Sequence, residues 1–291
     1  VVPVKHLRPD SLRAVAALAR EHDEDAKLVS GGTAVVLMIQ QGLIAPSVLI
    51  SLDGLIDVAG WREVVRTADG LRIGGGVRLA AVARSRAVRG LAPAVATAAG
   101  LVGNVRIRNA ATMGGNVAEA DYASDPPAVL VALGARIEVS DGDAPRTVAA
   151  RDMFVDYFTT DLRTGEVVTA VELPAPAPGA RSSYTKYCSR SAEDRPCVGV
   201  ATNLSTEDGV LTALDVVIGA VSGIPQAWPE VTASVLGRPL DRAVAQAVGD
   251  GCADLVDPLD DARGSAWYRR EMVRVLVRRS LLDLSAAEVA R

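Results

Sequence analysis

Residues 104–139 read NVRIRNAATMGGNVAEADYASDPPAVLVALGARIEV, and the sense made of this stretch decides the fold. Its first part is rich in Gly and Asn and cannot be one regular helix, because each interior glycine costs about 1 kcal/mol relative to alanine. Asp125-Pro126-Pro127 then offers a helix start, since proline fits a first turn and Asp can cap it. PPAVLVALG reads as that helix and ARIEV as the strand after it. At the centre lies Thr112-Met113-Gly114-Gly115-Asn116. A second diglycine, Ser30-Gly31-Gly32-Thr33, leaves the apolar stretch KLVS and enters TAVVLMIQQG, a helical run. Glycine permits positive φ and close approach of another group. A helix start or a nest of N–H groups behind it presents donors to phosphate oxygens. Ser30, Thr33 and Thr112 add hydroxyls, so two such turns suit the two phosphates of a dinucleotide. Ordinary tight turns explain each local pattern equally well.

Working outward, SLRAVAALAREHDED is a helix with Ser11 as its cap, and SVLISLDGL is a strand ended at Asp53-Gly54. These elements form a small unit over residues 1–57. WREVVRTADGLRIGGGVRL predicts a hairpin about Ala68-Asp69-Gly70, with the triple glycine at a hairpin or bulge. An Ala-rich helical region spans about 79–99, interrupted by Gly90 and Pro93. ARIEVSDGDAPRTV reads as strand, turn, strand, and EVVTAVELP as a further strand, giving a second unit over 58–173. The prolines of PAPAPGA, 174–180, favour an extended connection. Beyond it, SSYTKYCSR, RPCVGVATNLS and VLTALDVVIGAVSG are strands, and WPEVTASVLG and LDRAVAQAVGDGC are helices. The last helix, SAWYRREMVRVLVRRSLLDL, sets Trp267, Met272, Val275 and Leu276 against an Arg-rich face. Residues 180–291 are thus an antiparallel sheet with helices, and the whole chain is α+β.

Composition removes several classes of function. The 291 residues are 49% hydrophobic and 23% charged, with a net charge of −4, so neither disorder nor a global attraction to nucleic acid follows. No apolar run of about 20 residues suggests a membrane span. The opening residues lack a signal-peptide layout. Two His and three Cys leave little for metal chemistry. The widely spaced Cys188, Cys197 and Cys252 fit a reducing cytoplasm, and Cys188 and Cys197 read as structural thiols. GxGxxG and GxxxxGK[ST] are both absent. Arg106, Arg108, Asn109, Asn116 and Asp125 frame the second glycine turn. Asn116 and Asp125 either bind a sugar or nucleobase or stabilise the loops. Strand alternation puts Tyr184 and Lys186 on one face, toward a cofactor or toward solvent.

Taken together, KLVSGGTAVVLMIQQG, the 104–139 stretch and YTKYCSRSAEDRPCVGVA resemble, in that order, the FAD-binding medium subunit of the molybdenum hydroxylases. That family includes carbon monoxide dehydrogenase and xanthine dehydrogenase. The resemblance implies a two-subdomain FAD-binding fold of the vanillyl-alcohol-oxidase (PCMH) type. It also implies a C-terminal domain like that of the carbon monoxide dehydrogenase flavoprotein. It places Leu28, Val29, Ser30, Gly31, Gly32, Thr33 and Ala34 at the FAD pyrophosphate, with Thr112, Gly114, Gly115 and Asn116 opposite. Asp125 matches the acidic residue associated with the adenosine portion. Leu101, Val102 and Lys186 fall near the flavin, Val168 supplies a backbone contact, and Tyr184 is a neighbour. Met113 stands where many relatives have Ile or Val.

The implied role is electron transfer with no catalytic side chain and no metal ligand in this chain. Substrate chemistry belongs to a large molybdopterin-binding subunit. A small subunit with two [2Fe–2S] clusters exchanges electrons with the FAD, in a dimer of heterotrimers. A stand-alone FAD-dependent oxidoreductase and a non-catalytic assembly or structural homologue are the competing readings. The branch acting on 4-hydroxybenzoyl-CoA carries an extra cluster in an insertion, whereas residues 134–151 here form a short loop without cysteine.

Overall fold

The computed structural model describes residues 4–289. Strands β1 (Lys5–Leu7), β2 (Ala26–Val29) and β3 (Val48–Ser51) form a parallel sheet in the order β1-β3-β2. Helices α1 (Leu12–His22) and α2 (Thr33–Gln40) make the crossovers. Ser11 caps α1 by accepting from the Ala14 N–H, as its sequence position suggests. A second cap comes from 45 residues away: the Asp57 carboxylate accepts from the Leu12 N–H at 3.0 and 3.2 Å. No local pattern announces that partner.

The second sheet contains β4 (Val64–Thr67), β5 (Gly70–Gly74), β6 (Arg136–Ser140), β7 (Arg146–Ala149) and β10 (Val167–Pro174). All its pairings are antiparallel, in the order β4-β5-β10-β6-β7, with an irregularity between Val168 and Ala170. The hairpin turn at residues 68–69 is where the sequence places it. The triple glycine is not that turn: Gly75-Gly76 lead out of β5 beneath the Trp61 ring. A Cβ on Gly76 would lie 2.6 Å from the indole, which is why side chains are excluded there. The β6–β7 hairpin tip joins α1 through Arg20–Asp141 and Arg13–Asp143 ion pairs, each 2.5 Å. The short 134–151 segment therefore clamps the first unit to the second.

Between β5 and β6 run α3 (Leu79–Arg84), α4 (Arg86–Leu91), α5 (Pro93–Leu101), α6 (Val105–Ala110), α7 (Met113–Glu119) and α8 (Pro126–Ala132). The Ala-rich region is thus three helices, and its first break is at Ser85 rather than Gly90. The Ser85 hydroxyl accepts from the Val88 N–H and restarts the helix, leaving Gly90 inside α4. A short helix, α9 (Ala150–Met153), and a small hairpin, β8 (Phe154–Asp156) with β9 (Thr159–Thr160), precede β10.

Residues 174–179 are exposed. They lead to an antiparallel meander of β11 (Arg181–Tyr187), β12 (Val198–Glu207) and β13 (Val210–Gly219). One face of this sheet sends Tyr184, Ala201 and Val217 into the core built around α5 and α8. The other face packs Val198, Val200 and Ile218 against α11 (Arg242–Leu255) and α12 (Ala266–Val289). The helix predicted over WPEVTASVLG is only the short α10 (Pro229–Ala233).

The apolar face of α12 differs from the sequence reading. Trp267 is 69% exposed, and the buried stripe runs through Val273, Leu276, Val277, Leu281 and Leu284. At its start is Arg269, fully buried, donating to the carbonyls of Cys197 and Ala220 and to Asp261. A pattern that counts arginine as polar puts this residue outside. Burial acts to raise the Asp261 pKa, but bonds from Arg263 and Arg269 overcome it and hold the carboxyl at about 2. Arg269→Leu should cost about 3 kcal/mol or more in urea unfolding, because it strands two buried carbonyls and weakens a buried ion pair. Asp261 titrates below its ordinary 3.8, so its stabilisation is present above that value and fades as pH falls toward 2. Asp261→Asn should flatten stability against pH across that window.

Candidate functional site

The three units meet at one cleft of about 950 Å³. Its walls take residues from Leu28 to Val35, from Val102 to Asp125, from Phe158 to Val168, and Lys186 with the loop after β11. The two diglycines face each other across its floor, tied by a 3.1 Å hydrogen bond from the Thr112 hydroxyl to the Ser30 hydroxyl.

The four glycines have different physical reasons to be glycine. At Gly31 a Cβ would sit 2.2 Å from the Ala110 carbonyl oxygen, so the first loop presses directly on the end of α6. Gly32 has φ +70° and occupies the N-cap of α2 in the left-handed region. A Cβ at Gly114 would lie 2.9 Å from Gly75 and from the Val168 carbonyl, so this glycine meets protein backbone. Gly115 alone is exposed, and it lines the cleft.

The two helix starts differ as well. At α7 the Met113 N–H donates to the Val77 carbonyl and Gly114 to the Gly75 carbonyl. Gly115 donates to the Thr112 hydroxyl. The expectation of open donors at the second turn is corrected for these three groups, which protein acceptors occupy. At α2 no side chain caps the helix, and its first residues line the cleft. The first loop is therefore the stronger electropositive end, where aligned backbone dipoles favour an anion.

Asp125 stands at the N-cap of α8, but its side chain makes no cap bond. Its carboxylate instead accepts from the Tyr184 hydroxyl at 2.8 Å and from Lys186 Nζ at 3.1 Å. Lys186 also donates to the Leu101 carbonyl at 2.8 Å. Both charged side chains are almost fully buried, at 3% and 4% exposure. Burial raises the Asp125 pKa, opposed by the Lys186 charge and the Tyr184 bond. Burial and then the Asp125 charge push the Tyr184 phenol well above its ordinary range. The shared strand face expected for Tyr184 and Lys186 is present, and it points at Asp125.

Most residues singled out from the sequence line the cleft: Leu28, Ser30 to Ala34, Val102, Thr112, Gly114 to Asn116, Asp125, Val168 and Lys186. Val29, Leu101 and Tyr184 do not. Val29 ends β2, Leu101 contributes a carbonyl to Lys186, and Tyr184 is buried behind Asp125. Asn116 exchanges hydrogen bonds with Ser124 at 2.8 and 3.1 Å, the loop-stabilising alternative. Arg108 donates to the Val102 and Gly103 carbonyls and fixes the turn after α5. Asp125 and Lys186, to which the resemblance gives separate places along the dinucleotide, form one ion pair.

Sequence reasoning missed Trp61, Glu119, Asp121, Phe158 and Arg263, all in the cleft wall. Asp121 is paired to Arg195 at 2.7 Å. Arg263 lies over the Tyr122 ring, 5.4 Å from its centroid. Trp61 had a usable signal, because a triple glycine next to a strand implies a large group lying on it. The others carry none.

A cleft between two α+β units, with an uncapped helix start on its floor and a buried lysine supplied by a third domain, suits an anionic ligand such as the phosphates of a dinucleotide. Comparison with known families agrees. Residues 2–176 match the FAD binding domain in molybdopterin dehydrogenase, and 183–284 match the CO dehydrogenase flavoprotein C-terminal domain. The chain belongs to the FAD-binding medium subunits of the molybdenum hydroxylase family. It is 31% identical to the nicotine 6-hydroxylase medium subunit of Paenarthrobacter nicotinovorans, over 97% of this chain and 98% of that one. It is 29% identical to the glyceraldehyde dehydrogenase medium chain of Sulfolobus acidocaldarius, over 96% and 98%. Carbon monoxide dehydrogenase from Hydrogenophaga pseudoflava superposes with a TM-score of 0.92 at 26% identity, covering 98% of each chain. Among the described residues no helix is long and apolar enough to cross a membrane.

The glycine geometry makes a graded prediction. Gly31→Ala forces a backbone displacement and should lower stability by about 3 kcal/mol, at the upper end of overpacking costs. Gly115→Ala meets side chains rather than backbone, the Thr112 hydroxyl at 2.8 Å and the Ser30 Cβ at 3.8 Å, and should cost clearly less. Thermal unfolding of the two variants side by side checks the order.

Proposed function

We propose that this chain is the FAD-binding electron-transfer subunit of a molybdenum-hydroxylase-type enzyme, with the PCMH-type arrangement of its two N-terminal units. The observation that carries the reading is the convergence of the uncapped α2 start, the two glycine loops and Lys186 on a single cleft. The residues suit FAD. The α2 N-terminus and the hydroxyls of Ser30 and Thr33 match a pyrophosphate, while the Thr112 hydroxyl, which donates to Ser30, orients it. Leu28, Val102 and Ile107 offer apolar wall. The Asp125–Lys186 pair and the turn at Val102 are assigned to the flavin end, and the space beside Lys27 and Leu28 to the adenosine.

Flavin accepts electrons in pairs and releases them singly, which suits a link between one-electron clusters and an external acceptor. The chain's own residues orient the dinucleotide, exclude water around the ring and fix its electrostatic surroundings. Substrate chemistry is assigned to a large molybdopterin-binding partner, and the electron supply to a small partner with two [2Fe–2S] clusters, in a dimer of heterotrimers. The names of the relatives, medium chains and subunits of dehydrogenases and hydroxylases, support that division. Three free thiols suit the cytoplasm.

Expression with the two partner chains, followed by denaturation and identification of the released cofactor, should give one FAD per chain. Anaerobic addition of a substrate that reduces the complex should leave the flavin of the isolated chain oxidised. Reduction of the isolated chain by that substrate would establish a stand-alone oxidoreductase instead. Gly115→Val, at the exposed glycine of the two loops, should lower FAD occupancy while the apoprotein stays folded.

A further inference from the structure

Lys186 brings an ammonium group into the cleft wall from the C-terminal domain. An ammonium has three N–H donors. Two are used, by the Leu101 carbonyl at 2.8 Å and by Asp125 Oδ2 at 3.1 Å. That leaves one for the cleft. Asp125 Oδ1 is taken by the Tyr184 hydroxyl at 2.8 Å. Tyr184 itself is 7% exposed, does not line the cleft and comes from the same strand two residues before Lys186. Its phenol stays protonated, so it is a permanent neutral donor to this carboxylate.

A carboxylate shared between two donors holds each less strongly than one left to a single partner. We propose that Tyr184 is a positioning residue for the redox site: by holding Asp125 Oδ1 it restrains the carboxylate's grip on Lys186 and keeps the ammonium presented to the flavin end of the cleft. The inference rests on the FAD reading above, and it assigns Tyr184 no contact with the cofactor. Its electrostatic consequence has a definite sign. Positive charge beside the ring favours the electron-rich reduced form, so it raises the midpoint potential. Removing the phenol oxygen returns the whole carboxylate charge to Lys186 and should move the potential negative. Removing the ammonium should move it further the same way.

Because Tyr184 acts only through Lys186, the two effects should not add. The test uses the full chain with its FAD and spectroelectrochemical titration of the flavin in the parent, Tyr184→Phe, Lys186→Met and the double variant. Lys186→Gln replaces Lys186→Met if the methionine chain does not fold. The expected result is a negative shift in Tyr184→Phe, a larger one in Lys186→Met, and a double variant equal to Lys186→Met. A Tyr184→Phe potential equal to the parent's overturns the proposal, as does a shift of the same size in the lysine-free background. A purely structural tyrosine would change stability or FAD content and leave the potential in place. A parent chain that holds no FAD sinks the cofactor reading and this inference together, whereas FAD retained without the ordered shifts sinks this inference alone.

Discussion

Backbone pressed on backbone at the floor of the cleft is the constraint on which the rest of the molecule depends. Gly31 lies on the end of α6, and Gly114 lies on Gly75 and Val168, with no room for a Cβ at either point. These contacts join β2, β5, β10 and the starts of α2 and α7 at one place. The 3.1 Å bond between the Thr112 and Ser30 hydroxyls closes the seam. A parallel three-stranded unit and an antiparallel five-stranded unit have no sheet edge in common, so their relative placement must be set elsewhere. It is set by this seam and by the β6–β7 tip against α1. The cleft is the space these joints leave between two units.

The third unit is fixed by different physics. A buried ion pair seldom adds net stability, because desolvating two charges consumes most of what their attraction returns. Asp125 and Lys186 are nevertheless buried almost completely at the junction between the meander and the helical layer. The same junction is well supplied with apolar contacts: Tyr184, Ala201 and Val217 enter the core of the second unit. A hydrophobic pair would hold the domains together as well. What it cannot do is set an ammonium and a carboxylate in the cleft wall, as Lys186 and Asp125 do.

Much of this was legible in the sequence because it is local. Turn glycines, the Ser11 cap, the proline linker and the strand periods all act within a few residues, and the two diglycine loops stand where their pattern places them. The failures share a cause, which is a partner distant in sequence. Asp125 is well placed to cap α8, yet it bonds Tyr184 and Lys186 some 60 residues on. Arg269 reads as surface and is buried because two carbonyls and Asp261 converge on it. At Thr112-Met113-Gly114-Gly115 the sequence shows donors, but not that Val77 and Gly75 already accept from two of them. Local chemistry names the group; only the fold says who uses it.

The aromatic fraction of 3% takes on a physical meaning in this light. The helical layer of the second unit is buried largely through alanine and valine, and the fully buried residues on the other face of the meander are chiefly aliphatic. Small side chains let helices approach one another and the sheets closely, which the glycine contacts at the cleft floor also require. Half of the ten rings lie at joints. Trp61 lies on the Gly74–Gly76 strip between the first and second units. Tyr184 reaches from the meander to Asp125. Tyr122, stacked edgewise with Tyr157 and Phe158 and covered by Arg263, joins the second unit to the C-terminal domain. A ring can bridge a gap that alanine cannot, and a tyrosine can do so while donating a hydrogen bond at its far end. The scarcity of aromatics is therefore what a close-packed small-residue interior leaves over, with half of the ten rings placed where separate units are held together around a cleft.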